Sequence, residues 1–325
     1  MRILVTGGCG YIGSATARLL QRSGFEVFVV DDFSEGHRGA WDGDFEEFDL
    51  RDGLKVQSFA ERESFDGIIH FAARAYIGES MQQPLRYWHA NLVPVIHLCE
   101  AFPNVPFVFS STCATYGEPD VDLLSEKLIP APVNPYGATK LAAERLLRDR
   151  SDAHQGDFVA LRYFNAAGAE AEGGYGEHHD PEPHIIPRAI LSAMDLLHEP
   201  MSIFGMDWPT PDGTCVRDYI HIEDLADAHV RALQYLFEGG APICLNLGTG
   251  KGHSVLEVIQ AVEAATGKSI DWNAAPRRPG DPARLVADPS LAKQVLGWTA
   301  SRSELSSIVD SAVRWHSAAP HGYSS

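Results

Sequence analysis

The eight residues Thr6-Gly7-Gly8-Cys9-Gly10-Tyr11-Ile12-Gly13 constrain this chain more than any other stretch. They follow an apolar run, Ile3-Leu4-Val5, that reads as a strand, and precede Ser14 to Arg22, which reads as a helix. A second apolar run, Val27-Phe28-Val29-Val30, ends in Asp31-Asp32. Strand, glycine turn, helix, strand and acid is the order a dinucleotide site needs. Glycines spaced Gly7-x-x-Gly10-x-x-Gly13 let the backbone turn sharply and approach a pyrophosphate at the helix N-terminus, where free N–H groups and the helix dipole favour negative charge. An acid at the end of the second strand accepts hydrogen bonds from the adenosine ribose and repels a 2′-phosphate, which favours NAD over NADP. On this reading Gly7, Gly10, Tyr11, Ile12 and Gly13 wrap the cofactor, with Asp31 and Asp32 at its ribose.

The rest of the first half alternates strands with helices, which argues for a parallel sheet covered on both faces. Gly67-Ile68-Ile69-His70-Phe71, Pro106-Phe107-Val108-Phe109 and Phe158-Val159-Ala160-Leu161-Arg162-Tyr163 read as further strands. They run into small or polar residues, Ala72-Ala73 and Ser110-Ser111-Thr112 among them, and ligands gather at the carboxyl ends of such strands. Asn134 reads as the N-cap of a helix with Pro135 in its first position. Residues 166 to 184 are rich in Gly, Glu, His and Pro and read as a loop leaving the first lobe, before a helix at 185–198. Ile243-Cys244-Leu245-Asn246-Leu247 reads as one more buried strand. Ser254-x-x-Glu257 is a capping box for a helix that stops at Gly267, Asp288-Pro289 opens a short helix ending at Gly297, and Ser301-x-x-Glu304 opens the last one. The expectation is an α/β chain with a Rossmann-type doubly wound parallel sheet and a smaller mixed α/β C-terminal substrate lobe. Residues 1–165 form the NAD-binding domain, to which the chain returns at about 215–250, and 166–325 form the lobe.

Composition narrows the function. The 325 residues suffice for one large core or two modest lobes, and 45% hydrophobic with 22% charged content is that of a soluble globular protein. A net charge of −18 argues against nucleic acid as a partner, so an anionic substrate needs locally placed arginines. Five scattered cysteines without a CxxC pair suit free thiols in a reducing cytoplasm. No apolar run approaches the ~20 residues of a membrane span, and the chain opens directly on a strand without a signal peptide.

Tyr136-Gly137-Ala138-Thr139-Lys140 carries the chemistry. Positions i and i+4 share a helix face, so phenol and ammonium lie together. A tyrosine with its ordinary pKa near ~10 is a poor base at neutral pH, and a neighbouring ammonium and an oxidised nicotinamide both favour the phenolate. A drop of ~3 units needs ~4 kcal/mol of differential stabilisation. Thr112, at a strand end, can hydrogen-bond the same substrate oxygen. By themselves the tyrosine and lysine better fit a surface pair; it is their place after a dinucleotide turn and a strand ending in hydroxyls that makes them catalytic candidates.

Thr6-Gly7-Gly8-x-Gly10-Tyr11-Ile12-Gly13, Ser110-Ser111-Thr112, Tyr136-x-x-x-Lys140 and Arg162-Tyr163-Phe164-Asn165 together resemble the extended short-chain dehydrogenases/reductases. Phe71-Ala72-Ala73, Gly78-Glu79-Ser80, the run Asp212 to His221, Asn246-Leu247-Gly248-Thr249-Gly250, Pro276 to Asp281 and His321-Gly322-Tyr323 are similar to the UDP-glucose (UDP-galactose) 4-epimerase family within that superfamily. The resemblance spans the whole chain. It implies an NAD-dependent enzyme in which hydride leaves carbon 4 of a UDP-sugar for tightly bound NAD and returns to the other face of the 4-keto sugar. Tyr136 takes the proton from the 4-hydroxyl, Thr112 orients that oxygen, and Lys140 holds the nicotinamide ribose. Asp31 holds the adenosine ribose, and Asp49 and Leu50 lie beside the adenine. Phe71, Ala72, Ala73, Asn91, Ser110 and Tyr163 line the cofactor. Asn165, His184, Arg217, Arg278, Asp281 and Leu285 line the UDP-sugar, where forked arginines suit a diphosphate. The family also implies a cytoplasmic homodimer through helices within 87–102 and 138–148, although the apolar faces there equally fit the core.

Two positions depart from some family members: Ala75 stands where they carry a cofactor-contacting lysine, and Leu285 where they carry a tyrosine. The smaller Leu285 either packs the pocket wall or leaves room for an N-acetyl group on carbon 2. Cys113-Ala114 after Thr112 lack the acid pair of the related sugar 4,6-dehydratases, which disfavours dehydration. A 4-epimerase of UDP-xylose/arabinose or UDP-glucuronate shares the same motifs. A regulator that senses NAD without chemistry has no need of Tyr136 and Lys140. His178-His179-Asp180 and His184 lie in a loop without regular ligand spacing, so the expectation is no metal.

Overall fold

The alternating texture of the first half becomes, in the computed structural model, a sheet covered on both faces. The structure describes residues 1–171, 174–197, 199–278 and 280–323. The chain runs through β1 (Arg2–Thr6), α1 (Tyr11–Arg22), β2 (Glu26–Asp31), β3 (Phe45–Glu47), α2 (Gly53–Arg62), β4 (Gly67–His70), α3 (Ile77–Gln82), α4 (Pro84–Ala101), β5 (Phe107–Thr112), α5 (Pro135–Asp152) and β6 (Phe158–Tyr163). Then come β7 (Asn165–Ala167), α6 (Ile185–Ala193), β8 (Met201–Phe204), β9 (Val216–Arg217), β10 (Tyr219–His221), α7 (Ile222–Phe237) and β11 (Ile243–Leu247). The last part holds β12 (His253–Ser254), α8 (Val255–Thr266), β13 (Trp272–Ala275), β14 (Arg284–Leu285), α9 (Ser290–Leu296) and α10 (Leu305–Ala318).

Seven strands form one sheet in the order β11-β6-β5-β4-β1-β2-β3, and every neighbouring pair is parallel. This is a Rossmann-type fold. Successive side chains of a strand enter opposite layers, so strands buried on both faces read as unbroken apolar runs. Ile3 and Val5 enter a core shared with α1, α7 and α9, whereas Leu4 enters a second core with Phe59, Leu98 and Leu147 of α2, α4 and α5. Strand order reverses between β1 and β4, where Thr6 and His70 are register partners. That switch point opens a crevice at the carboxyl ends of the two strands.

The remainder builds a third core from Ile186 and Ile190 of α6, Val258 and Val262 of α8, and Ile308 and Val309 of α10. The small sheets β10-β7, β12-β9-β14 and β13-β8 accompany it, while β11 returns to pair with β6.

Local signals behave as their chemistry dictates. Asn134 accepts from the Gly137 N–H at 2.8 Å, and Ser254 with Glu257 makes the reciprocal capping box of α8. Three readings are corrected. Helix α1 begins at Tyr11 rather than Ser14, because Gly10 already has the extended N-cap conformation. Ser301 does not cap α10, whose N-cap residue is Glu304. The Ser301 and Ser303 hydroxyls and the Arg302 N–H instead bond the buried carboxylate of Asp224. The helix expected over 185–198 ends at Ala193; His198 lies outside the described residues.

Candidate active site

The crevice floor is the glycine turn. Gly7 has φ of +70°, and a Cβ there would lie 2.5 Å from the Ala72 nitrogen. A Cβ on Gly13 would lie 2.1 Å from the Gly7 carbonyl. Side chains are thus excluded by contact as well as by dihedral, leaving bare backbone at the N-terminus of α1. The Thr6 carbonyl accepts from the N–H groups of Phe71 and Ala72, at 2.8 and 3.1 Å, and so fixes the segment after β4 across from the turn. Asn91 on α4 holds the continuation, exchanging hydrogen bonds of 2.8 and 3.0 Å with the Arg74 backbone.

Asp31 ends β2 almost fully buried and accepts from the Cys9 and Phe33 N–H groups, both at 2.9 Å. Burial pushes its carboxyl up, and the two N–H donors oppose the shift. Gly7, Gly10, Asp31, Asp32, Asp49, Leu50, Phe71, Ala72 and Ala73 line one continuous cleft. The Arg51 guanidinium beside Asp49 holds that carboxyl below its ordinary range. Tyr11, on the first turn of α1, donates to the Gly168 carbonyl at 2.6 Å and ties this lobe to the loop after β7.

At the carboxyl end of β5, Ser110, Thr112, Tyr136, Lys140 and Tyr163 are all buried. Lys140 Nζ donates to the Ser110 carbonyl at 2.8 Å and lies 4.9 Å from the Phe109 ring centroid. Burial pulls this ammonium down to about 7, with Glu144 opposing. The Ser110 and Tyr163 hydroxyls bond each other. Burial pushes the Tyr136 phenol up to about 12, with the Thr112 hydroxyl opposing. The i,i+4 spacing reveals the ammonium but not the desolvation both groups suffer on this helix face.

The expected substrate residues gather on the small sheet of the second lobe. Leu285 and Arg217 are register partners, and Arg217 NH2 lies 3.9 Å from Asp281 Oδ1. The Arg278 guanidinium sits 3.7 Å over the Phe204 ring, and burial lowers its pKa while Asp281 opposes. Leu285 packs in a buried cluster with Cys113, Tyr116 and Phe164, directly beyond Thr112. Asn165 follows β6 in β7 and donates its N–H to the Asp218 carbonyl at 3.0 Å. His184 Nδ1 lies 2.9 Å from Glu182 and 2.8 Å from Glu177.

Two supporting carboxylates escaped the sequence reading. Asp218, fully buried, accepts from the Thr249 N–H and hydroxyl and from the Gly250 and Ala287 N–H groups. It joins β9, the turn after β11 and the strand end after Leu285. Glu144 pairs with Arg162 through 2.9 and 2.5 Å bonds and accepts from Ser111 at 2.5 Å. Ser111 and Arg162 are partners across β5 and β6, a relation only the register reveals.

Comparison with known proteins agrees with this geometry. The sequence profile of the "NAD dependent epimerase/dehydratase family" matches residues 3–248. The chain is 44% identical over 328 residues to a UDP-glucose 4-epimerase of Halalkalibacterium halodurans, covering 100% of this chain and 98% of that one. The UDP-glucose 4-epimerase of Brucella ovis in complex with NAD superposes with a TM-score of 0.92 at 44% identity, covering 96% and 97% of the two chains. That of Bifidobacterium longum in complex with NAD+ and UDP gives 0.93 at 35% identity, covering 99% and 100%.

Proposed function

The chain belongs to the NAD dependent epimerase/dehydratase family, and we infer that within it the protein is a UDP-sugar 4-epimerase with tightly bound NAD. It interconverts UDP-glucose and UDP-galactose through a transient 4-keto sugar. The observation that carries this reading is the buried set Thr112, Tyr136 and Lys140 at the carboxyl end of β5, the same edge of the parallel sheet at which the glycine turn follows β1. The crevice fits NAD: its turn has no room for side chains against a pyrophosphate, and the Asp31 carboxylate keeps lone pairs free for ribose hydroxyls. NAD supplies the acceptor, and then the donor, of the carbon-4 hydride.

The chain's own residues manage the proton and the sugar. Tyr136 takes the 4-hydroxyl proton and later returns it, with Thr112 hydrogen-bonded to the same oxygen. From about 12, the phenol must fall by roughly 4 units to serve near pH 8, which is ~5 kcal/mol of charge stabilisation. The Thr112 hydroxyl already contributes to that sum, and Lys140 on the same helix face adds to it in its charged form. Tyr163 and Ser110 line the nicotinamide side, and Asn91 steadies Arg74 at the cleft wall. Arg217 and Arg278, with Asn165 and Asp281, tether the UDP while the keto sugar turns over within the pocket. Residues 1–165, rejoined by β11, hold NAD in this reading, and 166–325 hold the UDP-sugar.

Leu285 at the pocket wall, in place of a tyrosine, supports acceptance of the N-acetylated pair as well. Leu85 and Trp88 on α4 are exposed apolar side chains, which supports pairing of two copies across α4 and α5. Five free cysteines support a cytoplasmic setting. Among the described residues no helix is long and apolar enough to cross a membrane.

The test is a panel of UDP-sugars incubated with the NAD-loaded protein and resolved by chromatography. Equilibration of UDP-glucose with UDP-galactose is expected, as is conversion of UDP-N-acetylglucosamine. Equilibration of pentose or uronate pairs alone would overturn the substrate assignment. Tyr136→Phe should abolish turnover, and retained turnover would remove the base assignment.

A further inference from the structure

Outside the catalytic set, Glu177, His179, Glu182 and His184 each bring one ligand atom to within 4.8 Å of all the others. The irregular spacing of His178-His179-Asp180 and His184 argues against a metal in the sequence, where Glu177 and Glu182 do not stand out as partners of these histidines. His184 Nδ1 lies 2.8 Å from Glu177 Oε1 and 2.9 Å from Glu182 Oε1. His179 Nδ1 lies 3.3 Å from Glu182 Oε2 and 3.6 Å from Glu177 Oε1. Both glutamates are buried, at 4% and 8% exposure. We propose that these four residues form a structural site for one divalent first-row transition metal, with zinc as its probe.

Three observations support the site. Each Nδ1 faces two carboxylate oxygens, and the single hydrogen it can carry must be shared between them, so neither imidazole gives both oxygens a full partner. Two buried carboxylates also carry two negative charges into a low-dielectric place, which a dication cancels. The size fits too: metal–ligand bonds of about 2.0–2.2 Å give a tetrahedral edge of roughly 3.3–3.6 Å, within reach of the four separations by small side-chain shifts. Two imidazoles with two carboxylates suit zinc and its neighbours better than calcium or magnesium, which prefer all-oxygen sets. Four protein ligands leave no open position, so the site is a clip and not a second reaction centre.

What it would clip is the loop between β7 and α6. His184 is the N-cap residue of α6, and the Glu177 carbonyl accepts from Trp315 Nε1 of α10 at 2.9 Å. The rings of His179 and His184 approach Tyr76, 6.0 and 6.3 Å between centroids, and the Tyr76 hydroxyl donates to Glu35 at the cofactor cleft. A bound metal therefore joins the second lobe to the rim of the first.

The test uses the full NAD-loaded chain, stripped with a chelator, incubated with excess zinc and desalted. Elemental analysis should find one zinc per chain, and competition with a chromogenic chelator should give an affinity that His179→Ala and Glu182→Gln each weaken at least roughly tenfold. Far-UV circular dichroism and retained NAD check that the variants are folded. Cobalt titration of the unaltered protein needs no variant and should give the intense visible absorption of a tetrahedral ion. Zinc lost on desalting, equal affinity in folded variants, or only the faint absorption of six-coordinate cobalt would each overturn the site. None of these readouts depends on turnover, so the epimerase reading stands or falls separately.

Discussion

Replacing Lys140 by methionine should stabilise the nucleotide-free protein while disabling the enzyme. Methionine keeps the length and apolar stem of lysine. The ammonium it removes is 2% exposed and, among the described residues, hydrogen-bonded only to the Ser110 carbonyl, and burial takes its pKa from 10.5 to about 7. Between those values the unfolded chain binds more protons at this residue than the folded one. Wild-type stability at this site therefore rises with pH, and the penalty is full below pH 7. The difference of 3.5 units amounts to ~4 kcal/mol at pH 7, where the folded group is half protonated, and falls to ~2 kcal/mol at pH 9. The orphaned Ser110 carbonyl costs about 1–3 kcal/mol in the variant. Lys140→Met should therefore gain ~1–3 kcal/mol at pH 7, and its advantage should shrink by ~2 kcal/mol on moving to pH 9. Urea denaturation of both proteins at the two pH values measures this, and turnover should drop by roughly 10²-fold or more. A variant less stable than wild type at pH 7, or a gap that does not narrow with pH, would refute the buried-cation argument.

Two further changes probe the scaffold around it. Glu144→Gln leaves the Arg162 guanidinium, 5% exposed, without its counter-charge. That should cost about 3–5 kcal/mol, seen as a large fall in thermal midpoint, and the double change Glu144→Leu with Arg162→Met should recover much of it. Gly13→Ala forces a Cβ to within 2.1 Å of the Gly7 carbonyl, so the turn must open. The purified protein should then lose most of its bound nucleotide, measured by absorbance after acid release, and normal NAD content would contradict the close-packed turn.

What the sequence discloses here is what chain order discloses. The glycine turn, the acid at the end of β2 and the unbroken apolar strands are local, and the Asn134–Pro135 start of α5 follows from donors and dihedrals within four residues. What it conceals depends on contacts between distant segments. Ser301-x-x-Glu304 has the letters of a capping box, yet Asp224, some 77 residues earlier, takes the Ser301 hydroxyl. Ser111 and Arg162 become neighbours only through the register of β5 and β6, and Glu144 then meets both from the helix above. Asp218 is invisible as a hub because its donors come from two distant segments, the turn at Thr249–Gly250 and the backbone at Ala287. The desolvation of the Tyr136 phenol is hidden for the same reason, since it is a property of everything packed around the group.

The two buried cations beneath the site also bear on what the site is for. Arg162 is fully answered: Glu144 meets it with two hydrogen bonds, Tyr116 with a third, and its pKa stays well above the ordinary value although burial opposes this. Lys140, on the same helix as Glu144, receives one carbonyl and an aromatic face, and its charge remains poorly compensated. A chain that only needed to fold would gain by an apolar residue there. A chain that only needed to sense a dinucleotide has the turn and Asp31, which grip without any buried ammonium. Keeping an unpaired cation one helical turn from a buried phenol makes sense when both are completed by bound ligand and the phenol must give up its proton there. The uncompensated charge is therefore the feature that separates an enzyme from a binding module on this scaffold, and it is the same charge that the methionine variant removes.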